Sequence, residues 1–248
     1  MPTLFIGQNK IELPSVESTN NFAANLIKET NVLDGTVIMA DKQTKGRGLS
    51  ENTWISAPGE NLTCSYVLRP NFLKIEHRFF LSMAVSLAIV KVLRSLGIAA
   101  IIKWPNDILV GALKIAGILI ENNIQGDKIN SSIVGIGLNV NQSVFDKSLA
   151  ATSVFNVTGK HQNIGSILEL LNSSLEVNYL KLKSQHRAEI KHGYTSVLLG
   201  YRKELLFEDV ALGAKYSGEI VDVKDSGELI VKCDSEIRSY FFKEVKFL

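Results

Sequence analysis

Apolar residues recur along this chain with two periods, and the changes of period mark the elements. Ser18 precedes Thr19 to Glu29, where Phe22, Ala23, Leu26 and Ile27 fall at helical spacing. A first helix is therefore predicted there, with the Ser18 hydroxyl accepting an orphan backbone N–H. Thr36 to Ala40 and Leu62 to Leu68 are short apolar runs with β-branched members and predict strands. Between them, residues 41–60 are polar, contain glycine and have no period, a length at which connections in compact domains are usually functional. Phe79 to Leu96 is nearly all apolar and predicts a core helix stopped by Gly97. Ile98 to Trp104, Ile108 to Val110, Ile115 to Glu121 and Ser131 to Val140 predict a mixed or antiparallel sheet, with Gly111-Ala112 as a hairpin turn. Two helical stretches follow, 166–183 and 186–199, and are expected to cover one face of it. From Leu205 the pattern becomes short alternating runs, 216–223, 228–232 and 237–242, with Asp225-Ser226-Gly227 as a turn between the first two. The expected organisation is an α+β domain over residues 1–200 and a small all-β domain over residues 201–248.

Composition narrows the function classes. At 248 residues and 46% hydrophobic content, the chain is sized for one large domain, or one domain with a small addition. Lys and Arg total 27 against 25 for Asp and Glu, and a net charge of +2 gives no bulk electrostatic reason for nucleic acid or anionic membrane. The longest apolar run, Phe79 to Val90, contains Ser82 and Ser86 and stops at Lys91, short of the roughly 20 residues that a membrane-spanning helix needs. The first residues lack the positive region and small-residue cleavage site of a secretory signal, so a cytoplasmic location is expected. Cys64 and Cys233 have no CxxC spacing, and His77, His161, His186 and His192 form no metal-ligand pattern. No resident metal site is expected.

Three segments carry unusual chemistry. In Lys45-Gly46-Arg47-Gly48, glycines on both sides of an arginine let backbone N–H groups and a guanidinium approach an anion together, although many surface turns share this composition. Lys103-Trp104-Pro105-Asn106-Asp107 is followed by Lys114-Ile115-Ala116-Gly117; read alone, Pro105 and Asn106 initiate a turn and Lys114 points into water. In Val134 to Asn141, Gly135 and Gly137 leave one face of a strand bare, where another group can approach closely. No Walker loop, nucleophile elbow or GxGxxG is present.

In their order along the chain these segments resemble the biotin protein ligases, of the single-function type without an N-terminal DNA-binding domain. The resemblance rests on Ser18-Thr19-Asn20, Gln43 with Gly46-Arg47-Gly48, Trp54 with Ser56, Lys103 to Asp107, Lys114 to Gly117 and Gly135 to Asn139. It covers about Ser15 to Asn141, and Tyr216 to Ile220 with Val231 is similar to the family's small C-terminal barrel. The resemblance implies a mixed β-sheet with packed helices, of the class II aminoacyl-tRNA synthetase kind, followed by an SH3-like β-barrel. It implies activation of biotin by ATP, with Mg²⁺, to biotinyl-5′-AMP, and transfer to a lysine of a biotin carboxyl carrier protein. By the same resemblance Ser18, Thr19 and Asn20 bind the ureido head. Gln43, Gly117 and the segment Gly46, Arg47, Gly48 and Leu49 line the rest of the biotin pocket. Trp54 stacks on adenine, and Lys103, Asn106 and Asn139 serve the nucleotide. Lys114 sits beside the biotin carboxylate and the α-phosphate. Joining two anions requires fixed cations, which Arg47 and Lys114 can supply. Asp107 is the candidate to help hold Mg²⁺, to orient Lys114 or to accept the carrier lysine's proton.

One departure bears on retention of the adenylate. Where the family most often continues GRG with another arginine, this chain has Leu49, and Ser50-Glu51-Asn52 lacks the usual basic and glycine residues. An arginine's planar fork can bind phosphate in a bidentate way, so here either backbone N–H groups and Arg47 hold the adenylate or more of it leaks away. Three other readings compete. A lipoate protein ligase shares fold and chemistry; the Ser18-Thr19-Asn20 start, KWPND and the C-terminal β unit favour biotin. A ligase that is also a repressor carries a helix-turn-helix domain, and the seventeen residues before Ser18, with Pro2 and Pro14, are too few for one, so no DNA binding is expected. A non-catalytic binding module is disfavoured by the presence of Lys114. Pairing of two copies through the central sheet is what family analogy implies.

Overall fold

A computed structural model describes residues 2–50, 52–234 and 236–248; Met1, Glu51 and Ser235 lie outside the described residues, so Glu51 in the stretch after Gly48 is not placed. The strand-period segments, joined by an N-terminal strand that the pattern did not single out, form a seven-stranded sheet from β1 (Lys10–Leu13), β2 (Thr36–Ala40), β3 (Leu62–Leu68), β4 (Ile101–Lys103), β5 (Asp107–Val110), β6 (Leu113–Gln125) and β7 (Lys128–Leu138). Their spatial order is β1-β2-β3-β7-β6-β5-β4. β1 runs parallel to β2 and every other pairing is antiparallel, which makes the sheet mixed.

Alternation along β3, β6 and β7 gives the sheet two unlike faces. Leu62, Tyr66, Ile118, Val134, Ile136 and Leu138 face the main core. There they meet the buried side of α2 (Phe79–Ser95), which packs on α4 (Ile164–Lys183) and α5 (Arg187–Ser196). On the opposite face, Ile38, Val67 and Ile133 join Ala23 of α1 (Thr19–Glu29) and Val32 in a small second cluster. Beyond that cluster, register places Thr63, Gly137 and Gly117 in one row and Ser65, Gly135 and Leu119 in the next. These glycine-bearing rows carry too little side chain to be core, and the cavity described below opens over them.

Local chemistry departs from expectation in three places. Ser18 occupies the N-cap position with extended backbone, but its hydroxyl makes no cap bond. Gln43 is brought alongside by the Val16–Gln43 bridge, and its Oε1 accepts the Thr19 N–H at 2.8 Å instead. β6 and β7 extend past the apolar runs to a turn at Gly126, because the outer part of this hairpin is largely solvent-exposed and its two isoleucines, Ile124 and Ile129, are isolated among polar residues. A short helix, α3 (Val154–Thr158), was not visible in the periodicity. Near the N-terminus the backbone N–H groups of Leu4, Phe5 and Ile6 donate to the carboxylate of buried Glu176 at 2.7, 2.8 and 3.0 Å, which satisfies a charge that would otherwise be costly to bury.

The C-terminal unit is a five-stranded antiparallel sheet of β8 (Glu204–Asp209), β9 (Ala214–Val223), β10 (Leu229–Cys233), β11 (Glu236–Tyr240) and β12 (Val245–Phe247), in the order β11-β10-β9-β8-β12. Its end strands share no ladder among the described residues. Phe207, Ile220, Val223, Leu229 and Val231 fill its interior. Its 225–227 turn is a docking element as well as a connection. The Phe79 N–H donates to the Asp225 carbonyl at 3.0 Å, His77 Nδ1 lies 3.0 Å from the Asp225 carboxylate, and Trp104 Nε1 donates to the Gly227 carbonyl at 2.9 Å. The last bond explains Trp104: it joins the 103–107 turn to the small sheet. No described helix is long and apolar enough to cross a membrane.

Candidate active site

A cavity of about 600 Å³ lies over the glycine rows, between the 43–54 loop, the 103–107 turn and the edge of the small sheet. Its floor is built by what the glycines leave out. A Cβ on Gly137 would lie 2.3 Å from Trp54 Cε2, and one on Gly117 would lie 3.2 Å from Trp54 Cζ3. The Trp54 indole therefore rests directly on β6 and β7. A Cβ on Gly135 would lie 2.3 Å from Asn20 Oδ1, so the next row receives the Asn20 amide in the same way.

Polar groups converge at one end. The Thr19 N–H donates to Gln43 Oε1 at 2.8 Å, and Thr19 Oγ1 lies 3.2 Å from the same oxygen. Ser65 Oγ lies 2.7 Å from Thr19 Oγ1 and donates to Asn20 Oδ1 at 2.6 Å. Asn20 Nδ2 donates to Glu121 Oε2 at 2.8 Å. The Arg47 guanidinium reaches the same carboxylate, with its two terminal nitrogens 2.6 and 3.2 Å from Oε1 and Oε2, and also donates to Asn21 Oδ1 at 2.6 Å. The loop that carries Arg47 is closed on itself: the Trp54 N–H donates to the Gly46 carbonyl at 3.0 Å and the Gly48 N–H to the Asn52 carbonyl at 2.7 Å.

A cationic centre lies beyond Trp54. Pairing of β5 with β6 places Lys114 Nζ 2.6 Å from Asp107 Oδ1, and the ammonium is 5.7 Å from the indole centroid. Asp107 is the single carboxylate lining the cavity among the described residues. Lys103 Nζ lies 5.7 Å from the Phe247 ring centroid. Asn106 lines the cavity and anchors itself by donating from Nδ2 to the Ile118 carbonyl at 2.9 Å. Cys64 also lines it; burial pushes its thiol up to about 12, so it is a neutral wall at ordinary pH.

Ser18, Thr19, Asn20, Gln43, Arg47, Gly48, Leu49, Trp54, Lys103, Asn106, Asp107, Lys114 and Gly117 thus meet in one cavity. Gly46 and Asn139 do not line it. Asn139 is buried, with Nδ2 donating to the Thr152 carbonyl at 2.9 Å. Ser65 and Glu121 were not singled out, nor were Phe242, Lys243, Lys246 and Phe247, which close the far wall from the small sheet. No group of three or more potential metal-ligating side chains occurs among the described residues. The arrangement suits a ligand with a polar head, an apolar middle and an anionic end, because donors and acceptors, bare backbone and aromatic surface, and a fixed ammonium follow one another along the cavity.

Comparison with known proteins gives a consistent result. The bifunctional ligase/repressor BirA of Bacillus subtilis is 29% identical over 263 aligned residues, covering 99% of this chain and 76% of that protein. The biotin--[acetyl-CoA-carboxylase] ligase of Paracoccus denitrificans is 36% identical over 52% of this chain and 53% of its own length. Among solved structures, the biotin protein ligase from Aquifex aeolicus in complex with biotin and ATP superposes with a TM-score of 0.80 at 29% identity, covering 97% of this chain and 99% of that one. The profile of the biotin/lipoate A/B protein ligase family matches residues 12–139, which include the polar end, the Trp54 shelf and Lys114. The chain belongs to the biotin/lipoate A/B protein ligase family.

Proposed function

We propose that this chain activates biotin with ATP and transfers it to a lysine of a biotin carboxyl carrier domain, with residues 1–200 as the catalytic domain and 201–248 as a second domain that closes its wall. The observation that carries the reading is the polarity of the cavity. The Thr19, Asn20, Gln43 and Ser65 cluster is matched to a ureido head, the bare strands to a thiophane ring and alkyl chain, and Lys114 to a carboxylate.

In the first step a carboxylate oxygen of biotin attacks the α-phosphorus of ATP, and the bond to pyrophosphate breaks. Two anions approach and charge grows on the phosphoryl oxygens. An ammonium already fixed 2.6 Å from Asp107 stabilises that charge without reorganising. In the second step the neutral amine of the carrier lysine attacks the acyl carbon, an amide forms, AMP leaves and the amine gives up a proton. Of the three roles considered for Asp107, its contact favours orienting Lys114 first. Mg²⁺ fits this site only as an ion carried by ATP phosphates, since the one lining carboxylate is already paired; Asp107 would be its nearest protein ligand and the ion would neutralise phosphate charge. Leu49 stands on the cavity wall where the family resemblance calls for arginine, and Arg47 is engaged by Glu121. Retention of the adenylate then rests on backbone N–H groups, Lys114 and closure of the 43–54 loop.

The family includes lipoate ligases, so the head group is the point to test. Biotin at about 100 times its dissociation constant is expected to add about 2.7 kcal/mol of apparent stability, seen as a rise in melting temperature, with no rise for lipoate at equal concentration. Stabilisation by lipoate alone would overturn the assignment.

A further inference from the structure

Glu121 belongs to none of the motifs, yet it holds two of their members. It lies on β6 opposite Ile133, which in turn faces Val67, so its nearest row neighbours are apolar and belong to the small cluster under α1. Its carboxylate accepts from Asn20 Nδ2 and takes a two-point contact from the Arg47 guanidinium. Side-chain exposures of 42% for Arg47 and 36% for Glu121 mean that solvent screens the bare Coulombic attraction. What remains is directional: a planar fork docked on a carboxylate fixes the position of the loop that carries it.

The second effect is on hydrogen-bond sense. An ionised carboxylate only accepts, so Asn20 turns its NH₂ toward Glu121 and its Oδ1 toward Ser65. The single Ser65 proton then goes to Asn20 Oδ1, so in the 2.7 Å contact with Thr19 the Thr19 hydroxyl donates to Ser65. The donor and acceptor pattern of the polar end is thus set from Glu121 inward.

We propose that Glu121 is a positioning residue for the polar end of the cavity: one carboxylate holds the 45–48 loop in place through Arg47 and fixes the orientation of the Asn20 amide before ligand arrives. The ligand part rests on the biotin reading, and the loop part does not. A corollary is that Arg47 acts chiefly as a clasp in the ligand-free protein, leaving Lys114 as the principal cation for the anionic end.

Glu121→Gln keeps the shape and removes the charge. The expected result is a rise of about 10- to 100-fold in KM for biotin with kcat within a few-fold, the size of one lost charged hydrogen-bond set. Tryptic cleavage after Lys45 and Arg47 in the ligand-free protein should accelerate together with it, because local opening of the loop becomes easier. In an Arg47→Ala background the same substitution should raise KM by a smaller factor than it does alone. Wild-type KM together with wild-type cleavage rate would overturn the proposal, as would a lower melting temperature and kcat with KM unchanged, which is the signature of a merely structural residue. The cleavage measurement needs no ligand. If the wild-type chain fails to ligate biotin, the reading of the substrate falls while cleavage still decides the role of Glu121 on the loop.

Discussion

Lys114→Ala is expected to slow adenylate formation by about 10²- to 10³-fold, the usual cost of removing one preorganised stabiliser of developing charge. The ammonium lies 5.7 Å from the indole centroid, and its partner Asp107 is itself largely enclosed, with 27% side-chain exposure. Its loss acts twice, since the phosphoryl charge goes uncompensated and Asp107 adds a second negative charge beside it. Lys114→Arg should restore little, because a planar fork on a different stem does not reproduce a compact ammonium between a carboxylate and an indole. Pyrophosphate release with biotin and ATP measures the step directly. A rate within a few-fold of wild type, in a variant that melts normally, would remove Lys114 from the chemistry.

The second large effect is expected from a methyl group. In Gly137→Ala the new Cβ would sit 2.3 Å from Trp54 Cε2 and 2.5 Å from Cζ2, far inside contact distance, so the indole must leave the shelf. Overpacking of this kind costs about 1–3 kcal/mol, and on the proposal that Trp54 stacks on adenine it should appear as roughly a 5- to 100-fold rise in KM for ATP. Tryptophan emission reports the movement, since the chain has 2 tryptophans and the other, Trp104, is 4% exposed and held by Gly227. A red shift is expected in Gly137→Ala and not in the double variant Gly137→Ala, Trp54→Leu. Unchanged emission and KM in the single variant would place Trp54 elsewhere.

Most of the fold and much of the site could be read from the chain, and the limits have physical causes. The first helix was legible to the residue because its apolar positions keep a strict period and Ser18 marks the start; the actual cap, Gln43, was not, because it arrives across a bridge between segments far apart in sequence. Gly135 and Gly137 were legible as a bare face, since alternation places them together, but only packing reveals that one receives Asn20 and the other Trp54. Glu121 ends a predicted strand and looks like an ordinary solvated charge until β6 is seen beside α1 and the 45–48 loop. The far wall was the least legible part. β12 is a three-residue edge strand and β8 beside it alternates weakly, and the approach of Phe247 to Lys103 depends on the 225–227 turn docking against Phe79 and Trp104. Asn139 is a motif residue that does not line the cavity; its Nδ2 donates to the Thr152 carbonyl.

The most direct test of the central claim is the intact mass of a biotin carboxyl carrier domain after incubation with the purified chain, biotin and MgATP. The account predicts a gain of one biotinyl group on one lysine, dependent on ATP and lost with Lys114→Ala. A carrier that stays unmodified with biotin, while a lipoyl carrier gains a lipoyl group under the same conditions, would contradict it.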